Sequence, residues 1–136
     1  MNLPYLIIII FITFNPFRQN NLKTMNTTNQ NTNPEQVVQS LISAMSKNDA
    51  KKIRSLFHED AKQAYGNGEW KSGEKFFDWL ESDIIERKGH VDGAKYDVDG
   101  NEVVVKGQYS SRGYTNKANF LFTVKDGKIK SWQMRY

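Results

Sequence analysis

The side chains that could move a proton in this sequence are few and lie apart along the chain. Tyr65 precedes a Gly-Asn-Gly turn, where its hydroxyl could donate a hydrogen bond to a ligand carbonyl or could simply mark the rim of the core. His58 is followed by Glu59 and Asp60, whose charges favour a protonated imidazole. A solvated histidine at a helix end explains the same pattern. Both residues are candidates for proton transfer, and the plainer interpretation stays open for each.

A third candidate is a carboxylate on a predicted helix. Asp78 follows Glu74 by four residues, so the two side chains lie on one helix face. Asp78 could face a cavity and act there as a general base. It could equally belong to an exposed charged stripe opposite Phe77 and Leu80.

Other common catalytic and cofactor-binding patterns are missing from the sequence. It has no cysteine, which removes disulfides, thiolate zinc sites and cysteine nucleophiles. His58 and His90 are isolated and lack the paired spacing of metal ligands. The sequence contains no glycine-rich phosphate loop, Ser-His-Asp set or dinucleotide fingerprint. We therefore expect neither a metal nor a cofactor.

The composition is that of one globular domain. The 136 residues are 38% hydrophobic and 25% charged, which is ordinary for a protein with a packed core. The formal net charge is +4, but charges of both signs are interspersed rather than clustered with aromatic residues. We expect no nucleic-acid binding.

Residues 1–32 are interpreted as an apolar leader and a polar linker, ahead of a domain at residues 33–136. Residues 3–14 (LPYLIIIIFITF) are uncharged and shorter than the roughly 20 residues that a transmembrane helix needs. They suit the apolar part of an export signal, although no Lys or Arg precedes them and no small-residue cleavage site follows. The alternative is that Met25 is the true start. A start at Met25 predicts a cytoplasmic protein, whereas a working leader predicts export or membrane association.

Three helices are predicted in the first half of the domain. Asn33 and Pro34 are a typical cap and first residue, and apolar residues then recur every three to four positions. Asp49 can cap a second, shorter helix that runs to Phe57 and is followed by His58. Ser72 can cap a third, whose apolar face includes Trp79.

The second half of the domain is predicted to be sheet. From His90 onward apolar residues alternate with polar ones, and Gly and Asp mark the turns. After a brief strand at 61–65, strands are predicted at 94–98, 102–109, 117–124 and 128–136. Gly107 indicates one bulge, and the spacing of three between Ile129 and Trp132 indicates another.

This order of elements resembles the nuclear transport factor 2-like and SnoaL-like superfamily. The resemblance rests on residues 33–61 (NPEQVVQSLISAMSKNDAKKIRSLFHEDA), the Ser-Gly pair before the third helix, DGNEVVVKGQY at 99–109 and FLFTVKDGKIKSWQMRY at 120–136. It implies an α+β, cystatin-like cone in which three N-terminal helices pack on a curved antiparallel sheet. It also implies a pocket for a small apolar molecule in the mouth of the cone, and a homodimer. The predicted pocket residues are Leu41, Tyr65, Trp79, Tyr109, Phe120, Phe122 and Trp132.

The resemblance does not extend to the catalytic residues of ketosteroid isomerases. Alignment through residues 59–61 brings Tyr65 to the place of their general-base Asp. Leu41 stands where they have an oxyanion-hole Tyr, and Ala118 or Asn119 where they have a protonated Asp. Phenol, alkyl and amide groups cannot replace that set at neutral pH, so we do not expect that activity.

Two functions from different classes remain open. The first is a small-molecule-binding domain, with proton-transfer chemistry such as isomerisation, cyclisation, dehydration or epoxide hydrolysis as the catalytic extension. The second is a non-catalytic dimerisation or partner-binding module. An outer patch of Val104, Leu121 and Met134 on the sheet would favour the second.

Overall fold

The helices begin where the sequence caps them, with one exception. The computed structural model describes residues 33–136, so the expectations for residues 1–32 lie outside the described residues. Helix α1 (Pro34–Ser46) starts after Asn33, whose side chain accepts hydrogen bonds from two backbone N–H groups. Asp49 caps α2 (Ala50–Ser55) in the same way. Helix α3 (Glu74–Trp79) has no side-chain cap, because Gly73 occupies the cap position and the predicted cap, Ser72, lies in a short strand.

Helix α3 does not end at Trp79 but widens into a π-helix at Leu80–Ile85. Its backbone bonds span five residues: the N–H of Glu86 donates to the carbonyl of Glu81, and that of Gly89 to Ile84. A π-helix turn holds one more residue than an α-helix turn, so it redirects the side chains that follow. The sequence pattern did not predict this widening.

Within residues 33–136, six strands form one sheet in the order β2-β1-β6-β5-β4-β3. The last four are consecutive antiparallel neighbours, as predicted, whereas β1 pairs with β6 in parallel. The expectation of a purely antiparallel sheet was therefore wrong at that one pair. The strands are β1 (Phe57–Tyr65), β2 (Lys71–Ser72), β3 (His90–Asp99), β4 (Glu102–Ser111), β5 (Tyr114–Lys125) and β6 (Lys128–Met134).

Strand β1 begins four residues earlier than the sequence suggested. Phe57 belongs to the strand and pairs with Ile129, and His58 lies in the strand beside it. The prediction that the second helix runs to Phe57, with His58 at its end, was wrong. The reason is tertiary: the neighbouring strand β6 offers β1 a partner, which outweighs the weak helical preference of this segment.

Both predicted bulges are present, one of them on the opposite strand. Gly93 and Ala94 of β3 together face Gly107 of β4, so the extra residue belongs to β3. Gly107 is needed because a Cβ atom there would lie 2.7 Å from the carbonyl oxygen of Asp92. The bulge in β6 is where Ile129 and Trp132 predicted it, and both side chains consequently reach the core.

The core lies between one face of the curved sheet and the helices. Alternate residues of β4 and β5 face it, which confirms the predicted pattern and the α+β class. The residues of this face on the two strands are Val103, Val105, Tyr109, Ala118, Phe120, Phe122 and Val124. Helix α1 covers them with Val38, Leu41 and Met45, which are almost fully buried.

Candidate functional site

A cavity of about 320 Å³ opens where the π-helical segment faces the ends of four strands. We call it the mouth cavity. Its apolar wall includes Ile84, Phe120 and Met134, and its aromatic hydroxyls come from Tyr65, Tyr109 and Tyr114. Asp83 and Arg87 line it from the helical side, and Ser111 and Asn116 from the sheet side. Concave, mainly apolar sites with a few placed polar groups are typical of small-molecule binding.

One carboxylate in the mouth cavity, that of Asp83, is held by hydrogen bonds on both oxygens. The hydroxyl of Tyr65 donates to Oδ2 at 3.1 Å, and the hydroxyl of Ser82 donates to Oδ1 at 2.9 Å. The indole N–H of Trp79 donates to the Tyr65 oxygen at 2.7 Å. An indole nitrogen can only donate, so the direction of this chain is fixed and the single Tyr65 proton is directed to Asp83. Tyr65 therefore positions the carboxylate.

The π-helix explains why Asp83 faces the cavity. Leu80 and Ile84 are buried in the core, as apolar residues four apart on a helix should be. The wider turn places Asp83 and Arg87 along the edge of that buried stripe, where the mouth cavity begins. π-helical turns of this kind occur frequently at functional sites.

Two phenols of the cavity are held in their neutral form. Burial raises the pKa of Tyr65, and the charge of Asp83 raises it further against the lowering effect of the Trp79 hydrogen bond. Burial raises the pKa of Tyr109 to about 12, against a lowering hydrogen bond from Ser111. The Tyr109 hydroxyl lies directly against Gly89, where a Cβ atom would collide with it. Tyr109 is thus a protonated donor at any physiological pH.

These groups combine a proton acceptor with a hydrogen-bond donor in one cavity, whose lining is about equally polar and apolar and also includes Lys117 and Arg135. A carboxylate can accept a proton from a carbon acid, and a neutral phenol can stabilise the oxygen on which negative charge then develops. Among residues 33–136, no group of three or more His, Cys, Asp or Glu side chains is placed to hold a metal ion. In the same span no helix has the length and apolar character to cross a membrane.

A family model decides where this domain belongs. The model of the SnoaL-like domain matches residues 38–132, which is most of the chain. The chain belongs to the SnoaL-like family. The resemblance inferred from the sequence is therefore confirmed. A comparison of the sequence with curated proteins finds no match.

Solved structures agree with the fold of this SnoaL-like domain. An NTF2-like protein of unknown function from Cytophaga hutchinsonii superposes with a TM-score of 0.66 at 19% identity, covering 75% of this chain and 88% of that one. A putative polyketide cyclase from Sinorhizobium meliloti gives 0.62 at 23%, covering 74% and 94%. A cystatin-like protein of unknown function from Xanthomonas campestris gives 0.61 at 21%, covering 76% and 89%. At such identities the likeness shows the fold alone, which is the predicted cystatin-like one.

The SnoaL-like domain brings three of the seven predicted pocket residues to the mouth cavity. Tyr65, Tyr109 and Phe120 line it. The other four pack in the core instead, because the sheet closes against the helices there. The Trp132 ring lies 5.0 Å from that of Phe122 and 5.2 Å from that of Trp79, centroid to centroid. The residues found in the core are Leu41, Trp79, Phe122 and Trp132.

Of the three residues predicted for proton transfer, the structure places only Tyr65 in the mouth cavity. Asp78 is exposed on α3 and does not line the cavity. His58 lies in a separate shallow depression, where its Nε2 is 2.8 Å from the carbonyl oxygen of Lys125. A carbonyl only accepts, so this ring nitrogen is the donor.

Sequence reasoning missed Asp83 and Arg87. The signal that could have found Asp83 is its spacing of four from Trp79, a residue already assigned to the pocket. Arg87 follows Asp83 by four more residues. On an ideal α-helix, burial of Leu80 and Ile84 does not show which edge of this apolar stripe meets the cavity. The π-helical turn shows that it is the edge with Asp83 and Arg87.

Proposed function

We propose that this SnoaL-like domain binds a small, mainly apolar carbonyl compound in the mouth cavity and removes a proton from the carbon beside the carbonyl. The observation that carries the proposal is the Asp83 carboxylate, which lines the cavity with both oxygens held. Proton abstraction at carbon needs a carboxylate fixed against the substrate, and the Tyr65 and Ser82 hydrogen bonds provide that fixing.

The proposed step moves one proton and two electron pairs. The Asp83 carboxylate takes the proton, the electron pair of the broken C–H bond forms a carbon–carbon double bond, and the π pair of the carbonyl moves to its oxygen to give an enolate. The neutral hydroxyl of Tyr109 donates a hydrogen bond to that oxygen, for which its raised pKa suits it. Asp83 then returns its proton in one of two ways. In a conjugated enolate the proton goes to a different carbon, which moves the double bond; alternatively the enolate carbon attacks a second carbonyl carbon of the same molecule and closes a ring, and the proton goes to the oxygen of that carbonyl.

The name of one structural neighbour is compatible with this chemistry. Ring closure through a new carbon–carbon bond begins with the same proton removal, and the protein from Sinorhizobium meliloti is a putative polyketide cyclase. For this chain the class of reaction stays a proposal, because a shared fold does not determine the chemistry of a site.

The structure favours the binding site over the interaction module. An outer patch that includes Met134 would have favoured the module, but Met134 lines the mouth cavity. Val104 and Leu121 are register partners, and both are partly buried on the opposite face of the sheet. That face is where we would place a homodimer contact, which is compatible with either function.

The experiment measures proton exchange in a probe ketone. The purified chain is mixed with 2-tetralone, a flat apolar ketone, in deuterium oxide, and proton NMR follows the loss of the signals beside the carbonyl. We expect the chain to accelerate this loss and Asp83→Asn to abolish the acceleration, an effect of roughly 100-fold or more for a general base. Saturation-transfer NMR should show that Asp83→Asn still binds the ketone.

Asp78→Asn is the matched control, since it removes an exposed carboxylate on the same helical segment outside the cavity. It should exchange the probe as the parent chain does. Equal acceleration by Asp83→Asn and the parent would refute the role of Asp83. Absence of ketone binding to the parent would refute the ligand class.

A further inference from the structure

Three buried polar atoms without partners lie on two neighbouring strands below the mouth cavity. Both amide atoms of Gln63 and the indole N–H of Trp132 have no hydrogen-bond partner within residues 33–136. Both side chains are fully buried, with 0% exposure. An unpaired polar atom of this kind is costly, and buried polar groups are nearly always paired with protein or with a bound oxygen. Two such residues side by side therefore point to a ligand.

The position of this pair relative to the mouth cavity follows from the strand register. Gln63 of β1 faces Trp132 of β6, and two residues further along the same strands Tyr65 faces Met134. Residues two apart on a strand share a face and lie about 7 Å from each other. Tyr65 and Met134 line the mouth cavity, so Gln63 and Trp132 form the next row inward.

A second contact connects the pair to the cavity. The ring of Phe120, which lines the cavity, lies 5.4 Å from the ring of Trp132, centroid to centroid. The other aromatic rings packed against Trp132 supply no acceptor for its N–H: Phe57, Trp79 and Phe122. Within residues 33–136 the N–H of Trp132 has no acceptor, and Gln63, its register partner, is the polar side chain beside it that a bound oxygen could share.

We propose that Gln63 and Trp132 form an inner subsite for one hydroxyl-type oxygen at the deep end of the mouth cavity. Such an oxygen accepts a hydrogen bond from the Trp132 N–H and donates one to the Gln63 carbonyl oxygen. The oxygen comes either from a buried water or from a hydroxyl at the inner end of the ligand. This inference rests on the proposed function for its ligand, and it adds that the ligand carries a hydroxyl at the end opposite its carbonyl.

The test compares two probes and one variant of the full chain. The probes are 2-tetralone and 6-hydroxy-2-tetralone, which differ by one hydroxyl at the far end from the carbonyl. We expect the hydroxylated probe to bind the parent roughly three- to tenfold more tightly, as one net hydrogen bond provides. Gln63→Leu, which keeps the size of the side chain but not its polar atoms, should remove that preference.

A second measurement detects water as the occupant. In the ligand-free chain, a cross-relaxation signal between the Trp132 indole proton and a long-lived water is sought by NMR, and Trp132→Phe assigns the indole signal. A preference for the hydroxylated probe that Gln63→Leu abolishes supports the subsite with the ligand as source. A water signal that Gln63→Leu abolishes, without probe preference, supports it with water as source. If the parent chain is folded and binds the ketone but shows neither the probe preference nor the water signal, the proposal is wrong.

Two controls separate this inference from the proposed function. Gln36→Leu removes an exposed glutamine on α1, outside the lining of the mouth cavity, and should change neither the probe preference nor the water signal. Proton exchange of 2-tetralone depends on Asp83 and not on the inner subsite. If the subsite fails while exchange persists, only this inference is wrong. If exchange fails, the water measurement still tests Gln63 and Trp132.

Discussion

The aromatic residues of this domain divide into two regions that differ in one chemical group. The aromatic core cluster consists of Phe57, Phe76, Phe122 and Trp132, whose rings pack at centroid distances of 5.0 to 6.2 Å. The mouth cavity is instead lined by Tyr65, Tyr109 and Tyr114. Phenyl and indole rings fill the closed region, whereas phenols border the open one, because a hydroxyl needs a partner or contact with solvent. The hydroxyls thus lie with the open region, although Phe120 reaches the cavity without one.

The largest expected effect comes from truncating one aromatic side chain in each of the two regions and comparing the losses of stability. Phe122→Ala should lower the free energy of unfolding by about 3–5 kcal/mol, since it opens a cavity among fully buried rings. Tyr114→Ala removes a side chain that is 51% exposed, and should cost under about 1 kcal/mol. Urea denaturation followed by circular dichroism measures both.

The outcome that contradicts the division is a similar loss for the two variants. If Phe122→Ala does not fold, Phe122→Leu serves in its place with a smaller expected loss. Tyr114→Ala should in turn weaken binding of 2-tetralone, which the core variant should change only through stability.

The second test uses pH to probe the phenol nearest the boundary. Burial raises the pKa of Tyr109 from 10.0 to about 12, so the folded state holds its proton where the unfolded state releases it. The contribution of the protonated Tyr109 to the unfolding free energy is fully present below pH 10. It is lost as the pH rises towards 12, with a magnitude of about 2–3 kcal/mol. The unfolding free energy of the parent should therefore fall more steeply over that range than that of Tyr109→Phe. Parallel slopes would show that Tyr109 is not buried as described.

Much of the fold could be predicted from local patterns. Asn33 and Asp49 predict their helices because capping is a local interaction, and alternation in β4 and β5 predicts the buried face because the strand period is two. The start of β1 could not be predicted, because His58 and its neighbours are strand only through pairing with β6.

The site could be predicted only in part. Tyr65 precedes a glycine turn at the end of a strand, a position at the rim of the sheet, and it lines the mouth cavity. Asp83 lies four residues after Trp79, but the π-helical turn that brings it to the cavity was not predicted by the sequence pattern. The pairing of Gln63 with Trp132 depends on the parallel register of β1 and β6, which joins segments far apart in sequence.

The smallest effect concerns the hydrogen bond that joins the two regions. The N–H of Trp79, whose ring packs against Trp132 in the core, donates to the Tyr65 hydroxyl in the mouth cavity at 2.7 Å. Tyr65→Phe leaves this buried donor without its acceptor and should cost about 1 kcal/mol of unfolding free energy. Combining it with Trp79→Phe in a double-mutant cycle should give a coupling energy of about 0.5–1.5 kcal/mol. Zero coupling would show that the core and the cavity are energetically independent. A measurable coupling energy would mean that the Trp79–Tyr65 hydrogen bond connects Asp83, the candidate base, to the core, because Tyr65 in turn donates its hydroxyl proton to Asp83.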